Sequence, residues 1–224
     1  MDDLHQWDVT PKEAVQVQHR LRSRVRLADN FSRIRTVAGI DISVGRGSKQ
    51  GRCAVVVLSL PELEVVERRV IAAAVRFPYV PGLLAWREVP IFLQAYELLD
   101  TKPDLLFFDG QGYAHPRRFG LACCGGLVLD KPSIGCAKSR LIGEYDPPPM
   151  EAGSTSPLTD QGERIGDVVR TKAGVKPVFV SPGHHISFES AARITLECTR
   201  GHRIPEPTRL AHIAVTSRSA YPEP

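Results

Sequence analysis

The 224-residue chain predicts an α/β fold: a mixed sheet of five to six strands, an antiparallel meander followed by parallel strands, with helices on both faces. Three observations predict it. Runs of β-branched residues separated by short turns occupy residues 35–75. The stretch PDLLFFDG (103–110) is a short continuous apolar run, the pattern of a strand buried on both sides. Through the rest of the chain, helical segments alternate with further short strands, which excludes all-α and all-β architectures.

The elements follow in order. Thr10 as N-cap, Pro11 at the first helical position and Glu13 at the third form a capping box, so a helix is expected over about 11–28. Residues 35–44 and 53–60 read as strands joined by the turn-rich GRGSKQG, and 63–75 as a third strand after Pro61. A helical region covers about 82–100, with Pro90 expected to kink or restart it. After the strand at 103–110 come a helix over 117–130 and strands at 133–139 and 177–184. Helices are expected at 188–201, ended by Gly201, and at 207–219. Residues 143–176 lack apolar periodicity and read as a surface excursion of a single domain spanning 1–224.

Composition narrows the class. No run of about 18 apolar residues occurs, so no membrane helix and no membrane partner are expected. The N-terminal MDDLHQWDVTPKEAV is charged and lacks the apolar core of a signal peptide. Five cysteines without paired spacing predict reduced thiols and a cytoplasmic protein, not a disulfide frame or a zinc site. A net charge of +4 permits nucleic-acid binding without requiring it.

Two aspartates stand within or at the end of apolar strands: Asp41 in VAGIDIS and Asp109 in LLFFDGQG. A carboxylate at the carboxyl end of a strand faces the crevice where α/β sheets bind ligands. Left unpaired and buried it is costly, so it pairs with a base or holds a metal. Together the two could form a Mg²⁺ site, with Glu88 as a third acid. Asp109 before Gly110 also suits a simple turn. Lys138 ends another strand at the same crevice edge. Gly110, Gly112 and Gly120 allow close backbone approach, and His115, Arg117 and Arg118 suit a phosphate. His212 stands alone on the last helix, where a histidine is commonly structural. In AVRFPYVPGLLAWREVP (74–90), Tyr79 is held between Pro78 and Pro81, a rigid, apolar, aromatic-tipped loop just before Glu88.

AGIDIS, FPYVPGLLAWRE, DGQGYAHPRRFGLA, IGCAKSRLIGEY, GVKPVFVSPGHHIS and PEPTRLAH occur in the order and spacing of the endonuclease V family, which the chain resembles over about 10–217. That family has a ribonuclease H-like fold and acts on deoxyinosine. The resemblance implies that Asp41 and Asp109 bind Mg²⁺ directly, with Mn²⁺ able to substitute, and that Glu88 completes the acidic site. It implies that His212 orients or activates the attacking water, and that Lys138 and His115 contact the phosphate. Tyr79 would be a wedge at the damaged base, and Gly82, Leu84, Gly110, Gly120 and Leu121 would bind the flipped base. The reaction implied is cleavage of the second phosphodiester 3′ of the lesion, leaving a 3′-hydroxyl and a 5′-phosphate. The partner implied is double- or single-stranded DNA containing deoxyinosine, and a monomer is expected because the crevice is complete in one chain. Cys123 and Cys124 depart from the family, where many members carry serine and histidine. Two other readings stand beside this one: a related nuclease acting on inosine-containing RNA or branched DNA, and a lesion-binding protein with little turnover.

Overall fold

A computed structural model describes residue 4, residues 6–45 and residues 47–217. Helix α1 (Pro11–Leu21) starts on the expected capping box, with Thr10 and Glu13 bonded reciprocally. It stops at Leu21 instead of near 28. The buried stripe Ala14–Val17–Leu21 has no apolar successor at position 24, where Arg24 stands, and a 3₁₀ turn (Arg22–Arg24) follows.

The meander forms as expected: β1 (Thr36–Val44), β2 (Gln50–Ser59) and β3 (Val65–Ala74) pair antiparallel. Helix α2 (Leu84–Glu97) runs through Pro90 without dividing. Strand β4 (Leu105–Phe108) is fully buried and lies parallel to β1, with Ile40 opposite Phe108. Helix α3 (Leu121–Leu129) begins four residues later than expected, because Arg118 takes a left-handed backbone and breaks the turn before it. Strand β5 (Ser133–Ala137) continues the parallel set beside β4.

The sheet has eight strands, in the order β3-β2-β1-β4-β5-β8-β7-β6, and not five or six. The additional pair comes from within residues 143–176: β6 (Thr155–Asp160) and β7 (Glu163–Val169). Gln161 and Gly162 both have positive φ, 53° and 81°, the geometry of a two-residue primed hairpin turn. The strand β6 is at the sheet edge and only Leu158 in it is buried, so it carries little apolar signal. Strand β8 (Val178–Pro182) runs antiparallel to both β5 and β7, so the parallel set is confined to β1, β4 and β5.

Helices cover both faces. Residues alternate along β2, with Cys53, Val55 and Val57 packing with α1, α2 and α3. Ala54, Val56 and Leu58 pack on the other face with α4 (Phe188–Glu197) and α5 (Glu206–Thr216). The last helix, expected to reach 219, ends at Thr216 with Ser217 in extended backbone, and α4, expected to reach 201, ends at Glu197. Residues 218 and 219 lie outside the described residues. No helix among the described residues is long and apolar enough to cross a membrane.

Helix α5 lies against β1 because Gly39 leaves room for it. A Cβ on Gly39 would fall 1.8 Å from the Pro207 carbonyl oxygen. Gly39 and Asp41 share one face of the strand, since side chains alternate. Two strand residues advance about 6.6 Å and five helical residues about 7.5 Å, so a helix seated at Pro207 on Gly39 delivers His212 to Asp41.

Candidate active site

Asp41 lies just past the last β1–β4 residue pair, and Asp109 immediately follows β4, its N–H bonded to the Ile40 carbonyl at 3.0 Å. Parallel pairing therefore sets the two carboxylates side by side at the carboxyl end of the central strands. His212 Nδ1 is 2.7 Å from Asp41 Oδ2, and Lys138, the residue after β5, forms an ion pair with Asp109 Oδ2. One donor atom each from Asp41, Asp109 and His212 lie within 4.8 Å of one another. Glu88 joins them from α2.

The electrostatics express crowding of negative charge. Burial, and then the Asp109 carboxylate, push the Asp41 pKa above the ordinary range, with His212 opposing. Burial, and then Asp41, raise the pKa of Glu88 to about 8, with Arg87 opposing. Three acids facing one Lys and one His are short of positive charge, and their oxygens are hard donors. This residue set fits a divalent cation of the Mg²⁺ or Mn²⁺ type.

Beside this cluster is a cavity of about 260 Å³. Tyr79, 71% exposed, stands at its rim in the loop between the exposed Pro78 and Pro81. Arg87 ties the base of that loop by donating to the Phe77 carbonyl at 2.8 Å. The expected base-site residues Gly82, Leu84, Gly110, Gly120 and Leu121 all line the cavity, and so does His115. Gly82 has φ +78°, and a Cβ on Gly120 would meet the Gln111 and Gly112 carbonyls at 2.5 and 2.6 Å. Both positions require glycine.

The phosphate expectation changes for His115, Arg117 and Arg118; Arg117 donates from Nε to Gln18 and from Nη2 to the Gly82 carbonyl at 2.7 Å. His115 is buried; its Nδ1 accepts from the Arg117 N–H at 3.2 Å, so Nε2–H donates to the Gly82 carbonyl at 3.0 Å. Burial, and then Arg117, lower its pKa to about 4. The ring is neutral with both nitrogens engaged, which suits a wall of the cavity and not a phosphate contact. Arg118 is likewise committed, to Asp160 and Glu163 of the β6–β7 hairpin at 2.9 and 2.7 Å. Cys123 and Cys124 are buried in α3, outside the cavity lining, and burial pushes the Cys123 thiol up to about 12. They are packing residues.

Sequence reasoning missed Gln18, Ser139 and Leu141, which also line the cavity. The signal for Gln18 was present: it is a polar residue on the buried stripe of α1.

A ribonuclease H-like mixed sheet with acids converging at the carboxyl ends of its central strands defines a nuclease. The comparisons specify which one. The sequence profile of the Endonuclease V family matches residues 19–213. The Endonuclease V of Dehalococcoides mccartyi is 50% identical over 211 residues, 94% of this chain and 95% of that one. The crystal structure of Endonuclease V from Streptomyces avermitilis superposes with a TM-score of 0.89 at 41% identity, covering 94% and 93% of the two chains. That of Ciona intestinalis Endonuclease V, in complex with a 23mer DNA containing an inosine followed by a ribo-adenosine, gives 0.82 at 30% identity, covering 92% and 97%. The chain belongs to the Endonuclease V family.

Proposed function

We propose that the chain is a Mg²⁺-dependent DNA repair endonuclease that flips deoxyinosine into the cavity beside Tyr79. It hydrolyses the second phosphodiester 3′ of the lesion, leaving a 3′-hydroxyl and a 5′-phosphate. The observation that carries this reading is the interleaving of pocket and chemistry along the chain. Asp109 precedes the wall residue Gly110, and Lys138 lies between the wall residues Ala137 and Ser139.

Asp41 and Asp109, with Glu88, would hold Mg²⁺ or Mn²⁺, which when bound polarises the scissile phosphate and lowers the barrier to attack. With Nδ1–H donated to Asp41, the His212 Nε2 lone pair is free to take a proton from the attacking water, and half of that side chain is exposed. Lys138 brings a positive charge to the same edge, where phosphate charge builds up. The proline-braced Tyr79 loses little freedom on entering a duplex and fills the gap left by the flipped base, offsetting an unstacking cost of about a few kcal/mol. Hypoxanthine differs from adenine in presenting an O6 acceptor where adenine has an amino donor, so a backbone N–H at the glycine-lined wall accepts one and rejects the other.

We read the chain as a cytoplasmic monomer in which residues 1–224 act as one domain. Inosine-containing RNA is the second substrate to try, because a cavity that takes a flipped base does not by itself distinguish ribose from deoxyribose. One experiment decides: inosine-containing and undamaged DNA and RNA strands are incubated with Mg²⁺, Mn²⁺ or EDTA, using the protein, Asp109→Asn and Tyr79→Ala. The expected outcome is metal-dependent nicking of inosine strands, abolished in Asp109→Asn, with Tyr79→Ala losing lesion preference more than chemistry. Tight binding without nicking in either metal would instead make the protein a lesion binder.

A further inference from the structure

The side chain of Gln18 is 1% exposed although glutamine is polar, and every polar atom on it is in use. Its Nε2 donates to the Gly82 carbonyl at 3.0 Å and to the Phe119 carbonyl at 2.9 Å, and its Oε1 accepts from Arg117 Nε. The Gly82 carbonyl receives two further donors, Arg117 Nη2 at 2.7 Å and His115 Nε2 at 3.0 Å. Gly82 lines the cavity beside the Tyr79 loop, and Phe119, also in the lining, leads directly into the lining residues Gly120 and Leu121. One amide, delivered from α1 about a hundred residues away in sequence, thus ties together two segments of the cavity wall.

We propose that Gln18 is a positioning residue for base selection: its amide fixes the separation of the two segments, and so determines which base fits the cavity. The inference rests on the deaminated-base reading above. The physical reason is that neither segment is held by packing alone. Gly82 and Gly120 themselves carry no side chain to interlock, so hydrogen bonds to their backbone neighbourhood act beside the packing of the buried Leu83 and Phe119 in setting their spacing. A shift of a few tenths of an ångström there changes whether a donor meets an O6 acceptor or a purine amino group fits. Gln18 touches no reacting atom, so its loss acts on selection and not on the hydrolytic step.

The test uses the full chain with Gln18→Leu, which keeps bulk and removes the hydrogen bonds. Its control is Leu21→Ala, a buried α1 position outside the cavity lining. Each is assayed below its melting temperature. In Gln18→Leu the preference for inosine over guanine or adenine strands falls by about tenfold or more, the scale on which pocket fit moves discrimination. KM for the inosine strand rises while kcat changes less, and Leu21→Ala keeps the wild-type preference. Backbone hydrogen exchange at 78–84 and at 119–122 accelerates together in Gln18→Leu only. Unchanged preference and unchanged exchange in Gln18→Leu overturn the proposal, as does an equal loss of preference in Leu21→Ala. A wild-type protein that cuts inosine and undamaged strands alike overturns the deaminated-base reading instead, and the exchange measurement still decides whether Gln18 clamps the two segments.

Discussion

The two ends of the sheet each hold histidine against aspartate, and the chemistry of the two groupings is opposite. At the carboxyl ends of β1 and β4, His212 meets Asp41 with Asp109 alongside. At the other end, Asp130 before β5 receives His184 Nε2 at 3.3 Å and His185 Nε2 at 2.8 Å, the two rings tilted at 47° with centroids 3.8 Å apart. Both sets place three donor atoms close enough to hold a metal. The second is nonetheless the poorer one at His184, because His184 Nδ1 accepts the Arg26 backbone N–H at 3.3 Å. That bond keeps the proton on Nε2, which therefore donates to Asp130 and has no lone pair for a cation. Asp130 is 83% exposed and answers to two buried donors, so it is a clasp across α3, β8 and the segment after α1. Asp41 has Asp109 as a neighbour and, among the described residues, one hydrogen-bonded base, His212. What separates a site from a clasp is which ring nitrogen the backbone has already claimed.

The sharpest way to break this comparison is to remove one histidine or aspartate from each end. His212→Ala should lower kcat by about 10²–10⁴-fold, the usual worth of general acid–base help, with the melting temperature nearly unchanged. Gly39→Ala comes next. Its Cβ cannot coexist with the Pro207 carbonyl, so α5 must lift and carry His212 away from Asp41. The activity should fall by about 10²-fold, as for an ångström-scale displacement of a catalytic group. In a His212→Ala background the same substitution should cost stability and almost no further activity; full additivity in rate would refute the seating role. Asp130→Ala should leave the rate per folded molecule intact and reduce unfolding free energy by about 1–3 kcal/mol, because two buried imidazole N–H groups lose their acceptor.

A further effect is in pH. In EDTA, folded Glu88 keeps its proton until about pH 8, whereas the unfolded chain releases it near 4.5. The folded state therefore binds more protons across that interval, and this group's contribution to stability falls as pH rises from about 4.5 to about 8. Glu88→Gln should flatten the slope in a denaturant titration, and an unaltered slope would remove Glu88 from the acid cluster. Asp130 has the reverse sign: hydrogen bonds from His185 and then His184 lower its pKa below the ordinary 3.8, so its contribution is present above that value and lost as pH falls through the folded pKa.

Much of this architecture was legible because physics concentrates signal where burial and charge conflict. Asp41 and Asp109 end or interrupt apolar runs, and the capping box announced α1. His212 looked like an ordinary helix residue, and only the family resemblance raised it, because its partner is 171 residues away. The β6–β7 hairpin was missed because an edge strand needs few apolar residues. Its one strong sign, Gln161–Gly162, is a turn signal without flanking alternation. His115 and Arg118 were assigned to phosphate from residue type. Their engagement with Gly82, Asp160 and Glu163 depends on contacts that no local pattern encodes.

The alternation of wall and acid along two loops has a consequence for how such a protein can change. Neighbouring Cα atoms are held about 3.8 Å apart by covalent geometry. Gly110 cannot move relative to Asp109, nor Ala137 and Ser139 relative to Lys138. On the proposed function, the backbone would thus be a fixed ruler between the place where a base is held and the place where a bond is broken. Substitutions in the wall can retune which base is accepted, but the offset of the cut is inherited with the chain itself. New specificities can arise in this scaffold without a new cleavage register.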